Sequence, residues 1–260
     1  MKPLRLAAPA EFESVRFVLT DMDETLTYRG RLSAATYAAL ENLQKAGVIV
    51  IPVTAAPAGW CDQMARMWPV DGVIGENGGF LFQRDAEGHG LRRLFWHSDG
   101  ERERVSSRLQ AIAREILAAL PGARLAEDQP FRTTSLAFAR SRDAALQDQI
   151  LARLRAAGAD VTINNLWLLA WFGGYDKLAA ARRMLKRACD LDMDAERDAV
   201  LYVGDSTNDA PMFSFFRHTV GVSTVVDCLS EIPVPPTWIT EGPGGAGFIE
   251  AAEAVLRSRR

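Results

Sequence analysis

The chain has 260 residues, 48% of them hydrophobic and 24% charged, with a formal net charge of −3. Such a chain can bury a substantial core as one large domain or two smaller ones, and its charge gives no general attraction to nucleic acid or anionic membrane. No apolar run approaches the ~20 residues needed to span a bilayer, and Leu4 to Ala10, interrupted by Arg5 and Pro9, is too weakly apolar for a signal peptide.

Taken in chain order, the elements alternate. Val15 to Thr20 is β-branched and aromatic and predicts a buried strand. Ser33 can N-cap a helix running to Ala46, with Gly47 as its stop. Val48 to Val53 predicts a second buried strand, Pro57 suits the first turn of a helix, and Gly72 to Gly75 predicts a short third strand. Gly79 to Phe82 begins a hairpin.

The pattern then changes. Val105, Leu109, Ile112, Ile116 and Leu120 keep helical spacing, as do Leu146, Ile150 and Leu154. Thr133 to Ala139, Ala159 to Ile163 and Leu166 to Phe172 read as strands. Together they make an α+β unit of about 90 residues, large enough for a small domain. A tight turn at Asn164-Asn165 is the first expectation, a ligand-facing loop the second. The first pattern resumes with a helix over Asp176 to Cys189, a buried strand over Ala199 to Val203, further strands at Phe216 to Val222 and Trp238 to Thr240, and a terminal helix from Gly247 to Arg257. The fold class is therefore α/β, a sheet domain of residues 1–83 and 173–260 interrupted by an inserted α+β unit, residues 84–172.

Most of the unusual residue types have ordinary expectations. Cys61, Cys189 and Cys228 are scattered and odd in number, which fits a reducing cytoplasm better than a disulfide framework or zinc site. His89, His97 and His218 lack metal-ligand spacing and read as structural or surface residues. Trp60, Trp68, Trp167 and Trp171 are expected to pack in the core.

Four positions do not. Asp21-Met-Asp23-Glu-Thr25 follows the first strand, and two carboxylates so placed repel by roughly 4 kcal/mol at 4 Å and an effective dielectric near 20. A divalent cation would relieve that repulsion, and an aspartate so held can attack phosphorus. Alone, D-x-D-x-T is weak, since chance supplies it in a few per cent of chains this long. Thr54, with the Ala55 amide before a helix, makes a small donor cluster suited to an anion. Lys177, one of only four lysines, follows Gly173-Gly174 where the inserted unit ends; a compact ammonium there can meet a phosphate and a carboxylate. Gly204-Asp205-Ser-Thr-Asn208-Asp209 ends another apolar strand with hard oxygen ligands of the kind Mg²⁺ prefers. If these strands are parallel neighbours, the four motifs converge on one crevice at their carboxyl ends.

In this order and spacing the chain resembles the haloacid dehalogenase-like phosphohydrolases, and its insertion resembles the type C2 cap of subfamily IIB, the Cof-type and sucrose-phosphatase-like group. The resemblance implies a Rossmann-like core and a Mg²⁺-dependent phosphatase acting on a small phosphorylated metabolite, with a sugar phosphate as the expected class. It implies Asp21 as nucleophile and Asp23 as acid and base, and Thr54, Ala55, Lys177 and Asn208 as phosphate contacts. The metal ligands it implies are Asp21, Asp23 through its main-chain carbonyl, Asp205 and Asp209. Asn77, in Glu76-Asn-Gly-Gly79, is either a substrate contact at the rim or a turn residue. Two departures stand out: Glu24 where relatives commonly have Gly, and Thr54-Ala-Ala56 where many have Thr-Gly-Arg. A sugar phosphomutase would share Asp21 and Asp23, and a non-catalytic binding module on the same scaffold is the third reading.

Overall fold

The computed structural model describes all residues except 86, 89, 165 and 260. His89 and Asn165, for which surface and turn roles are expected, lie outside the described residues. The chain opens with β1 (Lys2–Pro3), β2 (Phe17–Thr20) and a small hairpin, β3 (Thr27–Tyr28) and β4 (Arg31–Leu32). There follow α1 (Ala34–Lys45), β5 (Ile49–Pro52), α2 (Ala58–Met67), β6 (Val73–Gly75), β7 (Phe80–Arg84) and β8 (Leu91–Phe95). The inserted unit holds α3 (Asp99–Ala119), β9 (Ser135–Ala139), α4 (Ala144–Ala156), β10 (Asp160–Ile163) and β11 (Trp167–Trp171). The chain returns through α5 (Lys177–Cys189), β12 (Val200–Gly204), α6 (Ala210–Phe215), β13 (His218–Gly221), β14 (Trp238–Ile239) and α7 (Gly244–Arg257).

Six strands form a parallel sheet in the order β1-β14-β13-β12-β2-β5. Successive side chains in a strand point to opposite faces, and both faces here are covered by helices. Val18, Val50 and Leu201 pack with Leu40 and Leu43 of α1 and Phe248 and Val255 of α7. Leu19, Ile51 and Tyr202 pack on the other side with Met184 and Leu185 of α5 and Phe213 of α6. That double burial explains why these strands read as unbroken apolar runs. The helix starts also follow local chemistry: Ser33 Oγ accepts the Thr36 amide at 3.0 Å, and Asp176 accepts the Ala179 amide at 2.7 Å.

The sheet domain runs further than residue 84. β8 pairs antiparallel with β7, and Leu91 and Phe95 pack against the first core cluster. This is the hairpin expected to begin at Gly79 to Phe82, and its second strand lies beyond residue 83, where the sequence predicts the start of the inserted unit. The inserted unit then folds α3 and α4 over one face of an antiparallel sheet, β10-β11-β9, with Ile112, Ile116, Ile150 and Leu154 against Leu136, Phe138 and Leu168. The other face turns toward the sheet domain, where Ala137, Leu169 and Trp171 cluster with Ala55 and Tyr175.

Two buried polar clusters fix that contact. Glu76, fully buried in a left-handed turn (φ 49°), accepts the Ala58 amide at the start of α2 and the Thr133 and Thr134 amides of the cap. The Thr134 and Ser135 hydroxyls also donate to it, at 2.8 and 2.7 Å. Gly79 permits the approach, since a Cβ there would lie 2.0 Å from Thr134 Oγ1. Beside it, Arg132 forks onto both oxygens of Asp128 at 3.0 and 2.7 Å and donates to the Ala55 carbonyl at 3.0 Å and Ser135 Oγ at 3.2 Å. At the cap's other junction His97 Nε2 meets the Phe172 carbonyl at 2.8 Å. No helix among the described residues is long and apolar enough to cross a membrane.

Candidate active site

β2 lies between β12 and β5, so the residues that follow their carboxyl ends are neighbours. Asp21 leaves β2 with its amide on the Val203 carbonyl at 2.9 Å, and Asp205 leaves β12. Asp21, Asp23, Ala55, Asp205, Ser206 and Asn208 line one small nook, which the cap closes with Asn164 and Leu166. Lys177, the first residue of α5, reaches it from behind: its side chain is 1% exposed, and Nζ lies 2.8 Å from Asp21 Oδ1 and 2.7 Å from Asp209 Oδ1. Asn208 Oδ1 accepts from the same ammonium at 3.3 Å and from Ser206 Oγ at 2.7 Å, so its amide NH₂ is the end available to an anion.

The electrostatics follow from burial. Burial is the largest influence on Asp21, raising its pKa to about 6 against the pull of Lys177. Asp23 is raised to about 7 by burial and then by the charge of Asp21. Asp205 is pushed well above the ordinary carboxylate range by burial and by Asp21 and Asp209. For Lys177, burial would lower the ammonium, yet Asp209 and Asp21 together outweigh it and hold it above its usual value. One cation therefore faces more carboxylate charge than it can balance.

That imbalance tests whether a divalent cation fits. Oxygens of Asp21, Asp205 and Asp209 lie within 4.8 Å of one another, all buried. Three hard oxygen donors with surplus negative charge suit Mg²⁺. The three differ in how far they are already engaged. Asp209 Oδ1 accepts from Lys177 and Tyr202, and Oδ2 accepts the Asp205 and Ser206 amides at 3.0 and 3.1 Å. Asp209 thus organises the loop, whereas Asp205 is steered by a single Thr25 hydroxyl, 2.9 Å from Oδ1.

Two expected phosphate or substrate contacts, Thr54 and Asn77, do not line the nook itself. Thr54 is fully buried and its Oγ1 accepts the Ala56 amide at 3.0 Å, and Ala55 beside it lines the nook. Asn77 is an interior turn residue rather than a rim contact: it is 4% exposed, has φ 58°, and donates its amide to the Thr54 carbonyl. Two consecutive left-handed residues, Glu76 and Asn77, turn the chain inward there. Glu24 is left-handed too (φ 58°), the conformation glycine adopts without penalty, and its Oε1 accepts the Arg29 amide at 2.8 Å. Thr25 and Tyr202 were assigned no role from the sequence; Thr25 was visible as the last residue of its motif, while Tyr202 is apparent only from the sheet register.

A larger cleft of about 740 Å³ opens from Asp23 between the two units. Trp60, expected in the core, is 46% exposed and lines this cleft with Trp68 and the half-buried Trp167. Only Trp171 of the four is fully packed away. Asn164 combines both of its expectations: its Oδ1 accepts the Leu166 and Trp167 amides in a turn at 2.9 and 2.7 Å, and the residue lines the cleft.

A parallel sheet with acids at its carboxyl edge and an inserted α+β cap is the architecture of the haloacid dehalogenase-like hydrolases, and the chain has that fold. No family model matches the chain. A haloacid dehalogenase-like hydrolase from Bacteroides thetaiotaomicron superposes with a TM-score of 0.71 at 15% identity, covering 93% of this chain and 99% of that one. The sucrose-phosphatase of Synechocystis, solved with sucrose and phosphate, gives 0.64 at 15% identity over 92% and 97%. In sequence, the chain is 26% identical over 244 residues to a phosphoglycolate phosphatase of Methanoculleus marisnigri, 92% of this chain and 96% of that protein. The relatives named are hydrolases and phosphatases, in line with the enzyme class that the motifs imply.

Proposed function

We propose that the protein is a Mg²⁺-dependent phosphomonoester hydrolase that works through an aspartyl-phosphate on a small phosphorylated metabolite of the sugar-phosphate class. The observation that carries this reading is the buried ammonium of Lys177 between Asp21 and Asp209, at the edge of a nook lined by Asp23 and Asp205. The names of the similar proteins, a sucrose-phosphatase and a phosphoglycolate phosphatase, support it. The unpaired Cys61, Cys189 and Cys228 are compatible with a reducing cytoplasm.

Asp21 and Asp205, with the main-chain carbonyl of Asp23, would hold the metal, and Asp209 would support them from behind. Mg²⁺ there would offset the charge of an anionic nucleophile approaching an anionic phosphate. Lys177 fixes Asp21 through Oδ1 and draws the phosphoryl oxygens inward, helped by the Ala55 amide and the Asn208 NH₂. A carboxylate oxygen of Asp21 attacks phosphorus while the ester P–O bond breaks, and Asp23 gives its proton to the departing oxygen. Asp23, now a carboxylate, takes a proton from water; the water oxygen attacks phosphorus, the Asp21–phosphorus bond breaks, and inorganic phosphate leaves. With its pKa raised to about 7, Asp23 can serve in both directions near neutral pH.

The test is Mg²⁺-dependent release of phosphate from 4-nitrophenyl phosphate, lost in Asp21→Asn. Release that persists in that variant would overturn the nucleophile assignment. An isomerised sugar phosphate in place of inorganic phosphate would move the reading to a mutase.

A further inference from the structure

The cleft beyond Asp23 has a chemical character that the catalytic nook does not dictate. Asp23, Ala55, Asn164 and Leu166 line both spaces, so a leaving group that starts at the nook and passes Asp23 must emerge in the cleft. Its walls are broad and apolar. Trp60 of the core is 46% exposed, Phe131 of the cap 55% and Leu166 of the cap 44%, and Trp167 stands beside them. Phe131 and Trp60 are placed by one local device: Gly59, next to Trp60, leaves room for the Phe131 ring, whose Cδ1 would lie 3.2 Å from a Cβ at that position. Large apolar side chains are seldom left this exposed together unless something covers them.

The charges point the same way. Among the described residues that line the cleft, Arg132 is the only cation. Its guanidinium is already held by Asp128, the Ala55 carbonyl and Ser135, so it has little left for a substrate. Glu127 adds negative charge to the same walls, and Asp128 is the carboxylate that occupies Arg132. A carboxylate or second phosphate on the leaving group would meet repulsion and no counter-charge, whereas a neutral ring with a flat apolar face would meet aromatic surface. The volume also exceeds what a two- or three-carbon fragment fills.

We infer that the leaving group of the physiological ester is an uncharged, ring-bearing alcohol held by its apolar face between Trp60 and Phe131, and not a small carboxylate such as glycolate. This deepens the phosphatase reading and rests on it: a neutral sugar ring, whose C–H face is apolar, and an aromatic alcohol both meet the requirement.

The experiment compares phenyl phosphate, a hexose 6-phosphate, ethyl phosphate and 2-phosphoglycolate by kcat/KM, and the same esters by tryptophan fluorescence on the non-turning Asp21→Asn variant. At least one ring ester is expected to exceed 2-phosphoglycolate by at least ~100-fold in kcat/KM. Trp60→Ala and Phe131→Ala are each expected to lower the ratio of ring-ester to ethyl-phosphate kcat/KM by at least ~10-fold, mostly through KM. A merely structural role would lower all esters together and leave that ratio unchanged, which would overturn the inference. So would 2-phosphoglycolate matching or exceeding both ring esters. Binding of a ring ester without turnover by the wild-type protein would retain the cleft assignment and sink the phosphatase reading; neither binding nor turnover of any ester would overturn both.

Discussion

Two buried carboxylate sites in this molecule differ in how their charge is met. Glu76 is fully buried yet accepts five hydrogen bonds, from three amides and two hydroxyls, and joins the start of α2 to the cap. Asp21 and Asp205 are buried nearly as deeply, but Asp21 shares one ammonium with Asp209, Asp205 is held by the Thr25 hydroxyl, and Asp21 is raised to about 6. A carboxylate satisfied from all sides by its own protein holds structure together; one left short of positive charge has room for a ligand to complete it. Burial alone therefore does not mark function. The difference lies in what remains unsatisfied.

That contrast can be broken by substitution. Asp21→Asn should reduce phosphate release by at least ~10³-fold, as expected for loss of a nucleophile. It should leave thermal stability in the metal-free protein unchanged or raised, because a buried charge is removed. Activity retained, or a clear loss of Tm, would place Asp21 in the structural class.

Glu76→Gln should do the reverse. The amide NH₂ would face hydroxyl and amide donors that now meet an acceptor, and the expected cost is about 3 kcal/mol in urea unfolding. A change below ~1 kcal/mol would show that the cap is held chiefly by its apolar contacts.

A third effect is read in pH. A carboxylate whose folded pKa lies above its unfolded one binds protons more tightly when folded. Its contribution is complete below pH about 4 and is lost as pH rises through about 6 for Asp21 and about 7 for Asp23. The metal-free protein should therefore lose Tm across that window, and Mg²⁺ should flatten the slope. A flat profile without metal would remove the electrostatic argument for the ion. The slope should survive Glu76→Gln, which leaves the nook untouched.

The smallest effect concerns Glu24. Glycine there would relieve about 1 kcal/mol of left-handed strain but add freedom to the unfolded chain, so Glu24→Gly should shift stability by less than ~1 kcal/mol. A loss of several kcal/mol would mean that the Glu24–Arg29 contact organises the loop after Asp23.

Much of this was legible in the sequence because its causes are local or periodic. The apolar runs of β2, β5 and β12 announced buried strands, and Asp21, Asp23, Lys177 and Asp205 announced themselves by residue type at strand or domain ends. What stayed hidden depended on distant partners. The hairpin at β7 is legible, but not that its second strand, β8, belongs to the sheet domain, because Phe95 is tied to a core that lies far away in sequence. Trp60 seemed a core residue because composition cannot tell an aromatic wall from an aromatic filling. Asn77 could be read as a rim contact or a turn residue, and only the inward path of the chain decides for the turn. Glu76 drew no notice at all, since its five donors are scattered over Ala58 and Thr133 to Ser135.

The position of β2 has a consequence for how this protein is made. Its register joins Val18 to Val50 on one side and to Leu201 on the other. As the chain emerges from the ribosome, the first neighbour arrives almost at once, but the second follows about 180 residues later. At ~5–20 residues per second the strand bearing Asp21 then waits roughly 10–40 seconds with one edge unpaired. The inserted unit, with its own sheet and core, is complete before that edge closes. The cap can thus be a finished object while the reactive centre beneath it does not yet exist, so the site is created late in biogenesis, after the unit that covers it.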